Sequence, residues 1–301
     1  MVKVSIGIIG MERLYGGDFS GVVDAARLAD EAGVDMLSIT DHVVMGEHLE
    51  NYPYGPFPMP LDYPWFEPLT VLAAVAAVSK RIRLSTGVLI SPLRPAVLLA
   101  KQLATLDVIS RGRVTIGLGI GWQKEEYDAS GLPWENRYTR MDEQVAVCKL
   151  LWSQAPASFA GKTVSFDRIH AFPRPVQTGG IPMWFGLKPT EKNFARIADY
   201  GDGWIPMERN PEVLAVHIKA LRDAFAAKGR DPAVAQVRVG IRPAVQPGQD
   251  RPDLESTLGS VSAMIEAGAN VIEFIPSAWC KTAGELPTFF KRITAWRDSV
   301  T

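Results

Sequence analysis

The segment PLRPAVLLAKQLATLDVISRGRVTIGLGIGWQKEE, Pro92–Glu126, contains one complete helix–strand unit. It predicts a helix over Pro95–Ile109, with a proline in the first turn, where a missing N–H costs little. It also predicts a strand over Arg113–Ile120, rich in β-branched residues. A helix followed directly by a strand is typical of α/β proteins with a parallel sheet.

The same alternation continues through almost the whole chain. We predict strands at Val4–Ile9, Met36–Thr40, Ile82–Ile90, Arg113–Ile120, Met183–Gly186, Trp204–Met207, Val237–Ala244 and Val271–Ile275. We predict helices at Phe19–Ala32, Pro68–Ser79, Pro95–Ile109, Tyr138–Trp152, Glu191–Tyr200, Pro211–Lys228, Leu254–Ala267 and Leu286–Asp298. Eight such pairs favour an α/β fold of the closed (β/α)8 TIM-barrel type. The alternative is a doubly wound open sheet, which rarely needs eight regular units.

Composition narrows the class of protein. The 301 residues fit one barrel domain over residues 1–301, since such barrels use roughly 250 residues. Hydrophobic residues make up 47% and the net charge is −1, so no basic field attracts nucleic acid or anionic lipid. The sequence contains no run of about 18 apolar residues, so we predict no membrane span. Cys148 and Cys280 lack metal or disulfide spacing and suit a cytoplasmic location.

Two connections are too long for simple turns, and we predict insertions there. Val43–Glu67 follows the second strand, and Ser153–Ile181 follows the fourth long helix. The first is rich in proline, glycine and aromatic residues, which predicts an ordered lid over a binding site. Its aromatic residues are Tyr52, Tyr54, Phe57, Tyr63, Trp65 and Phe66. They favour an apolar or aromatic small-molecule substrate.

The carboxyl end of the second strand carries the sharpest catalytic candidate, His42, with Asp41 beside it. Active sites of such barrels lie at this end, and an imidazole can donate a proton near neutral pH. In the alternative, Asp41 caps the turn and His42 is a packed side chain. The remaining histidines form no ligand cluster, so we predict no metal site.

Two further strand ends are candidates for cofactor binding. In Gly117–Trp122 glycine occupies alternate positions, so the segment is not the GxGxxG dinucleotide fingerprint. Glycines here would let a flat ring approach the backbone. In the alternative, the small residues only fit the taper of the barrel interior. Gly186–Thr190 opens a helix, where free N–H groups attract anions and Lys188 adds charge. A solvated lysine and a threonine cap are the alternative for this turn.

Other barrel chemistries find little support. The first strand has no HxH pair for an amidohydrolase-type metal centre. A Schiff-base aldolase needs a lysine at a strand end, and only Lys188 comes close. Glu12 and Glu208 could serve as paired carboxylates for glycoside cleavage, but no sugar-binding pattern accompanies them.

The segment Pro92–Glu126 resembles the third-to-fourth-strand region of luciferase-like oxidoreductases of the bacterial luciferase-like superfamily. Further stretches resemble that family's strand ends and fourth-helix pattern. They are Thr40–Val43, Gly131, Arg137, Arg140, Glu143, Leu151–Trp152, Ile181–Gly186 and Gly201–Pro206. The GxGxGW-EE form is most similar to the branch that uses the deazaflavin coenzyme F420.

The resemblance implies a barrel that holds F420, or alternatively FMN, at its C-terminal face. It implies that His42 contacts the ring and that Asp41 orients His42. It places a non-proline cis peptide behind the ring, here at Gly87–Val88. The cofactor-binding residues expected on this basis are Thr86, Gly87, Val88, Gly119, Gly121, Trp122, Gly186, Leu187 and Lys188.

These expectations define the functional hypotheses. The first is an F420-dependent oxidoreductase that transfers a hydride to or from a small organic substrate, with His42 as proton donor or polarising group. The second is an FMN-dependent monooxygenase supplied with reduced flavin by a separate reductase. A non-catalytic flavin- or ligand-binding barrel and an unrelated barrel lyase or isomerase are the others. The family resemblance also implies a homodimer.

Overall fold

The computed structural model describes residues 1–246 and 252–300. The strands are β1 (Lys3–Gly7), β2 (Met36–Ile39), β3 (Arg83–Thr86), β4 (Leu89–Ile90), β5 (Val114–Gly119), β6 (Ala157–Ala160), β7 (Ser165–Ile169), β8 (Met183–Phe185), β9 (Gly203–Trp204), β10 (Gln236–Gly240), β11 (Ala244–Val245), β12 (Pro252–Asp253) and β13 (Val271–Phe274). The helices are α1 (Gly21–Glu31), α2 (Pro68–Val78), α3 (Ala96–Ser110), α4 (Lys124–Ala129), α5 (Arg137–Ser153), α6 (Glu191–Tyr200), α7 (Pro211–Ala227), α8 (Leu254–Glu266) and α9 (Leu286–Ser299). In the described part of the chain, no helix is long and apolar enough to span a membrane.

The main sheet is a closed parallel barrel. Its strand order is β3-β2-β1-β13-β10-β9-β8-β5-β4, and pairing of β3 with β5, Leu84 opposite Val114, closes it. Because β3 and β4 are two parts of one interrupted strand, the barrel has eight staves. The predicted (β/α)8 barrel is therefore confirmed.

The third stave departs from the single strand predicted over Ile82–Ile90. It breaks at Gly87–Val88, where the peptide bond is cis, as the family resemblance implied. The break carries Val88 out of the strand path, and β4 resumes pairing with Leu89 opposite Leu118 of β5.

A buried cation crosses the barrel interior. Arg238 of β10 is fully buried; its Nη2 donates to the Thr86 carbonyl at 2.8 Å and its Nη1 to Ser85 Oγ at 3.1 Å. Its Nε lies 3.4 Å from a carboxylate oxygen of Glu273 on β13, which also accepts from the Ser5 and Ser38 hydroxyls. Since β10 and β3 are four staves apart in either direction around eight, this side chain joins opposite walls.

The two long connections have different structures. Residues 43–67 have no strand and only a short 3-10 turn at Leu49–Asn51 before α2 begins. The second connection, predicted as an insertion, contains the antiparallel hairpin of β6 and β7. The first lies at the C-terminal mouth of the barrel, where β2 ends.

Candidate active site

His42 follows β2 and lies inside a cluster of aromatic rings. Only 7% of it is exposed. Its ring centroid is 4.6 Å from that of Trp65, 5.9 Å from Phe57 and 6.0 Å from Trp122. Trp65 and Phe57 belong to the lid, and Trp122 follows β5. The structure therefore brings the predicted catalytic histidine, the predicted lid and one predicted cofactor-binding residue together.

The hydrogen-bonding partner of His42 is Glu126, which the sequence analysis did not single out. Nδ1 of His42 lies 3.3 Å from each carboxylate oxygen of Glu126, and the Val43 N–H donates to Oε1 at 2.9 Å. Glu126 is fully buried on α4. A carboxylate at Nδ1 favours a proton on that nitrogen, so Nε2 is the atom that can exchange a proton with a ligand.

Asp41 has a different role from the expected one. Its carboxylate accepts two hydrogen bonds from Arg94, at 2.6 and 3.1 Å, and one from the Ile90 N–H at 2.8 Å. Arg94 also bonds Glu67, where the lid enters α2, at 2.9 Å. The bidentate pair thus fastens the end of β2 to the third stave and to the lid, and Glu126 takes the position beside His42 expected of Asp41.

The lid is attached to the rim through Tyr63. Its hydroxyl accepts from the Gly10 N–H at 2.8 Å and donates to the buried carboxylate of Glu12 at 3.1 Å. Burial raises the pKa of Tyr63 to about 12, so the hydroxyl keeps its proton at neutral pH. Its ring lies 4.7 Å from Trp65. Only about 20 Å³ of space remains between this part of the lid and the ends of β1 and β2.

Thr86 and Val88, the expected cofactor-binding residues on either side of Gly87 in the third stave, make different contacts. The Thr86 hydroxyl donates to the Gly117 carbonyl at 2.6 Å and accepts from its N–H at 3.1 Å, so it serves the contact between β3 and β5. Val88 is half-buried at the mouth. A Cβ at Gly119 would lie 2.5 Å from Val88 Cγ2, and one at Gly186 2.6 Å from its Cγ1. These two glycines therefore make room for the Val88 side chain.

Gly121 turns the chain after β5. Its φ of +69° lies in the left-handed region that favours glycine. The turn places Trp122 with its ring centroid 5.2 Å from Tyr52 and 5.1 Å from Phe57, so Trp122 packs against two rings of the lid. Gly121 thus provides the backbone turn, and Trp122 provides the ring that packs in the aromatic cluster.

The turn after β8 makes contacts through Leu187 and Thr190. Leu187 is buried and its carbonyl accepts from Trp204 Nε1 at 2.9 Å. Lys188 is exposed. The Thr190 hydroxyl accepts from the Asn193 N–H at 3.2 Å and so caps α6. Side-chain packing, a solvated lysine and a threonine cap account for these contacts.

Comparison with known proteins gives the family. The luciferase-like monooxygenase family matches residues 5–285. An uncharacterized protein of Mycobacterium tuberculosis is 35% identical over 223 residues, which are 73% of this chain and 78% of that protein. Pyrimidine monooxygenase RutA of Allorhizobium ampelinum is 35% identical over 141 residues, 45% of this chain and 37% of that enzyme.

Among solved structures, an F420-dependent secondary alcohol dehydrogenase in complex with an F420–acetone adduct is similar over 98% of each chain. The TM-score is 0.77 and the sequence identity 18%, so this likeness concerns the fold. The family model, in contrast, matches the amino-acid sequence itself over residues 5–285. This chain belongs to the luciferase-like monooxygenase family.

Proposed function

We propose that this protein is an F420-dependent oxidoreductase in which His42 exchanges a proton with a small organic substrate. The observation that carries the proposal is the His42–Glu126 pair at the mouth of the barrel, buried beneath aromatic rings. The F420-dependent dehydrogenase whose fold this chain shares supports the choice of cofactor. In this role, a bound deazaflavin supplies or accepts the hydride.

The residues around His42 fit a planar polar ring. Trp65 Nε1 is buried and has no hydrogen-bond partner among the described residues, so a ring carbonyl could accept from it. Val88 offers an apolar surface at the mouth, and a Cβ at Gly240 would meet nothing within 4 Å. Val88, Trp65 and Trp122 would hold the ring, and the turn at Gly186–Lys188 would face its tail.

Each residue of the chain then has a defined task. Glu126 holds one proton of His42 on Nδ1. The imidazolium can then give its Nε2 proton to the substrate atom that gains negative charge, and the neutral imidazole can take that proton back at Nε2 in the reverse direction. The aromatic lid excludes water, which would otherwise compete for that proton. Asp41 and Arg94 hold the lid and the second strand in place.

A second candidate function is a monooxygenase that uses reduced FMN. The 35% identity with pyrimidine monooxygenase RutA favours it. The same pocket and histidine would serve, and the reaction would consume oxygen. Oxygen uptake in the presence of reduced FMN, and its absence with reduced F420, would distinguish this function from the first.

The test is a titration of the purified protein with F420 and, separately, with FMN, followed by tryptophan fluorescence. We expect micromolar binding of F420. Replacing His42 by Ala should preserve that binding and abolish cofactor turnover, whereas the exposed His48→Ala variant should retain both. Failure of both cofactors to bind would contradict the proposal, and full turnover by His42→Ala would indicate a barrel without this catalytic histidine.

Homodimerisation, a cytoplasmic location, a separate cofactor reductase and a single domain over residues 1–301 stay predictions from the sequence and the family. Size-exclusion chromatography with light scattering tests the first of them.

A further inference from the structure

Two arginines lie at the mouth of the barrel after adjacent strands. Arg209 follows β9 and Arg242 follows β10. In the parallel pairing of these strands Gly203 lies opposite Gln236. Arg209 and Arg242 are the same number of residues beyond that pair, and they lie close enough for the charge of Arg242 to act on Arg209.

No counterion balances this pair within residues 1–246 and 252–300. Neither guanidinium makes an ion pair or a side-chain hydrogen bond there. Glu208 is adjacent, but its Oε1 accepts from the backbone N–H groups of Arg209 and Asn210, each at 2.8 Å. Burial lowers the pKa of Arg209, and the positive charge of Arg242 lowers it further. The two cations therefore repel each other, with Arg209 half-buried and Arg242 exposed.

The pair faces His42 across the mouth. The strands β9 and β2, which lead to Arg209 and His42, are four staves apart among eight. The lid joins the two sides. Tyr52 lies within the electrostatic influence of Arg209, and its ring centroid is 5.2 Å from that of Trp122, which lies 6.0 Å from His42.

We propose that Arg209 and Arg242 bind an anionic group of the substrate, a carboxylate or a phosphate. A guanidinium presents several N–H donors in a planar fork that matches either anion, and an anion here would remove the repulsion between the two cations. The substrate class is then an acid with an apolar or aromatic body beneath the lid and a reacting atom near His42. This assignment of the body and reacting atom rests on the proposed function; the anion site does not.

The test measures anion binding to the protein without cofactor. Isothermal titration with sodium phosphate, and separately with sodium acetate, at low ionic strength should show saturable binding of at least one of them, and the stronger ligand identifies the preferred anion. Arg209→Met and Arg242→Met should each weaken that binding about tenfold, which corresponds to about 1.4 kcal/mol. Arg209→Lys should keep part of the affinity, because the positive charge remains. The rest should be lost, because lysine lacks the planar fork of N–H donors.

Arg13→Met is the matched control, because Arg13 lies at the same end of the barrel and is paired with Glu12 at 3.7 Å. It removes the same charge and should leave the dissociation constant within about twofold, a change well below 1 kcal/mol. Circular dichroism confirms that each variant is folded. Equal weakening by Arg13→Met and Arg209→Met, or no saturable binding of either anion, overturns the proposal. Anion binding without F420 or FMN binding would overturn the proposed function and leave this site standing.

Discussion

Glu126 and His42, separated by 84 residues in the chain, meet at the mouth of the barrel with Nδ1 3.3 Å from both carboxylate oxygens. The carboxylate also accepts the Val43 N–H, so it fixes the backbone that carries the imidazole. Glu126 therefore positions the histidine and sets which nitrogen carries the proton.

Replacing Glu126 by Gln tests this positioning role. The amide keeps the size and loses the charge, so we expect kcat to fall about 10- to 100-fold, the usual cost of losing such a partner, and cofactor affinity to change little. Glu125→Gln, the adjacent half-buried position, is the control. An unchanged kcat in Glu126→Gln would argue for a merely structural carboxylate.

Removing the cation inside the barrel should destabilise the fold. Arg238→Met leaves Glu273 without its ionic partner and the Thr86 carbonyl without a donor. We expect the free energy of unfolding to fall by about 3–5 kcal/mol, measured by urea denaturation. The exposed pair of Arg292 and Glu255 provides the control, since Arg292→Met should cost about 1 kcal/mol or less. Equal losses in the two variants would contradict the importance of the interior pair.

Gly119→Ala should be destabilising because its methyl group would overlap Val88 Cγ2. We expect a loss of about 1–3 kcal/mol in the free energy of unfolding. Val88→Ala in the same chain should restore part of it, which a double-mutant cycle measures. Gly240→Ala, which adds a methyl group into open space, should be neutral or slightly stabilising. Simple additivity of the Gly119 and Val88 changes would show that the two residues do not compete for space.

Tyr63→Phe should loosen the lid. The change removes the acceptor of the Gly10 N–H and the donor to buried Glu12, and an unpaired buried polar group costs about 1–3 kcal/mol. Hydrogen exchange should become faster within residues 43–67. Tyr54→Phe is the control, because 46% of Tyr54 is exposed. Unchanged exchange in Tyr63→Phe would show that other contacts hold the lid.

Both thiols should be unreactive in the folded protein. Burial raises the pKa of Cys148 and of Cys280 to about 12, so the thiolate is scarce near pH 8. Unfolding returns the pKa of each thiol to its ordinary value and exposes the sulfur. Reaction with a disulfide reagent at about pH 8 should therefore detect no thiol in buffer and two in denaturant. Rapid native labelling of either cysteine would contradict the packing around it.

Sequence patterns were sufficient for the barrel because strand and helix periodicities are local properties. The long connection over Val43–Glu67 was also predicted, since its length and aromatic residues mark it in the sequence, whereas the cis bond at Gly87–Val88 was implied by the family resemblance. Partners that come from distant segments could not be found this way. Asp41 and Arg94 lie 53 residues apart, and nothing in either segment indicates that the carboxylate would turn to the arginine instead of the adjacent histidine.

Glu126 shows the same limit. It belongs to a helix of only six residues, too short for a periodic pattern to mark its buried face. The available signal was its place in the first turn of the short helix that follows β5, since active-site residues of such barrels come from the segments after the strands. For the turn after β8 the sequence left two interpretations open, and the contacts of Leu187 and Thr190 are compatible with both.

The guanidinium of Arg238 connects opposite walls of the barrel. The residue whose carbonyl accepts its hydrogen bond, Thr86, directly precedes Gly87 and Val88. The position of the Gly87–Val88 bond is therefore linked to a side chain inside the barrel. Arg209 and Arg242 lie on segments that follow other strands, so we expect substitutions in those segments to leave the Gly87–Val88 bond in place.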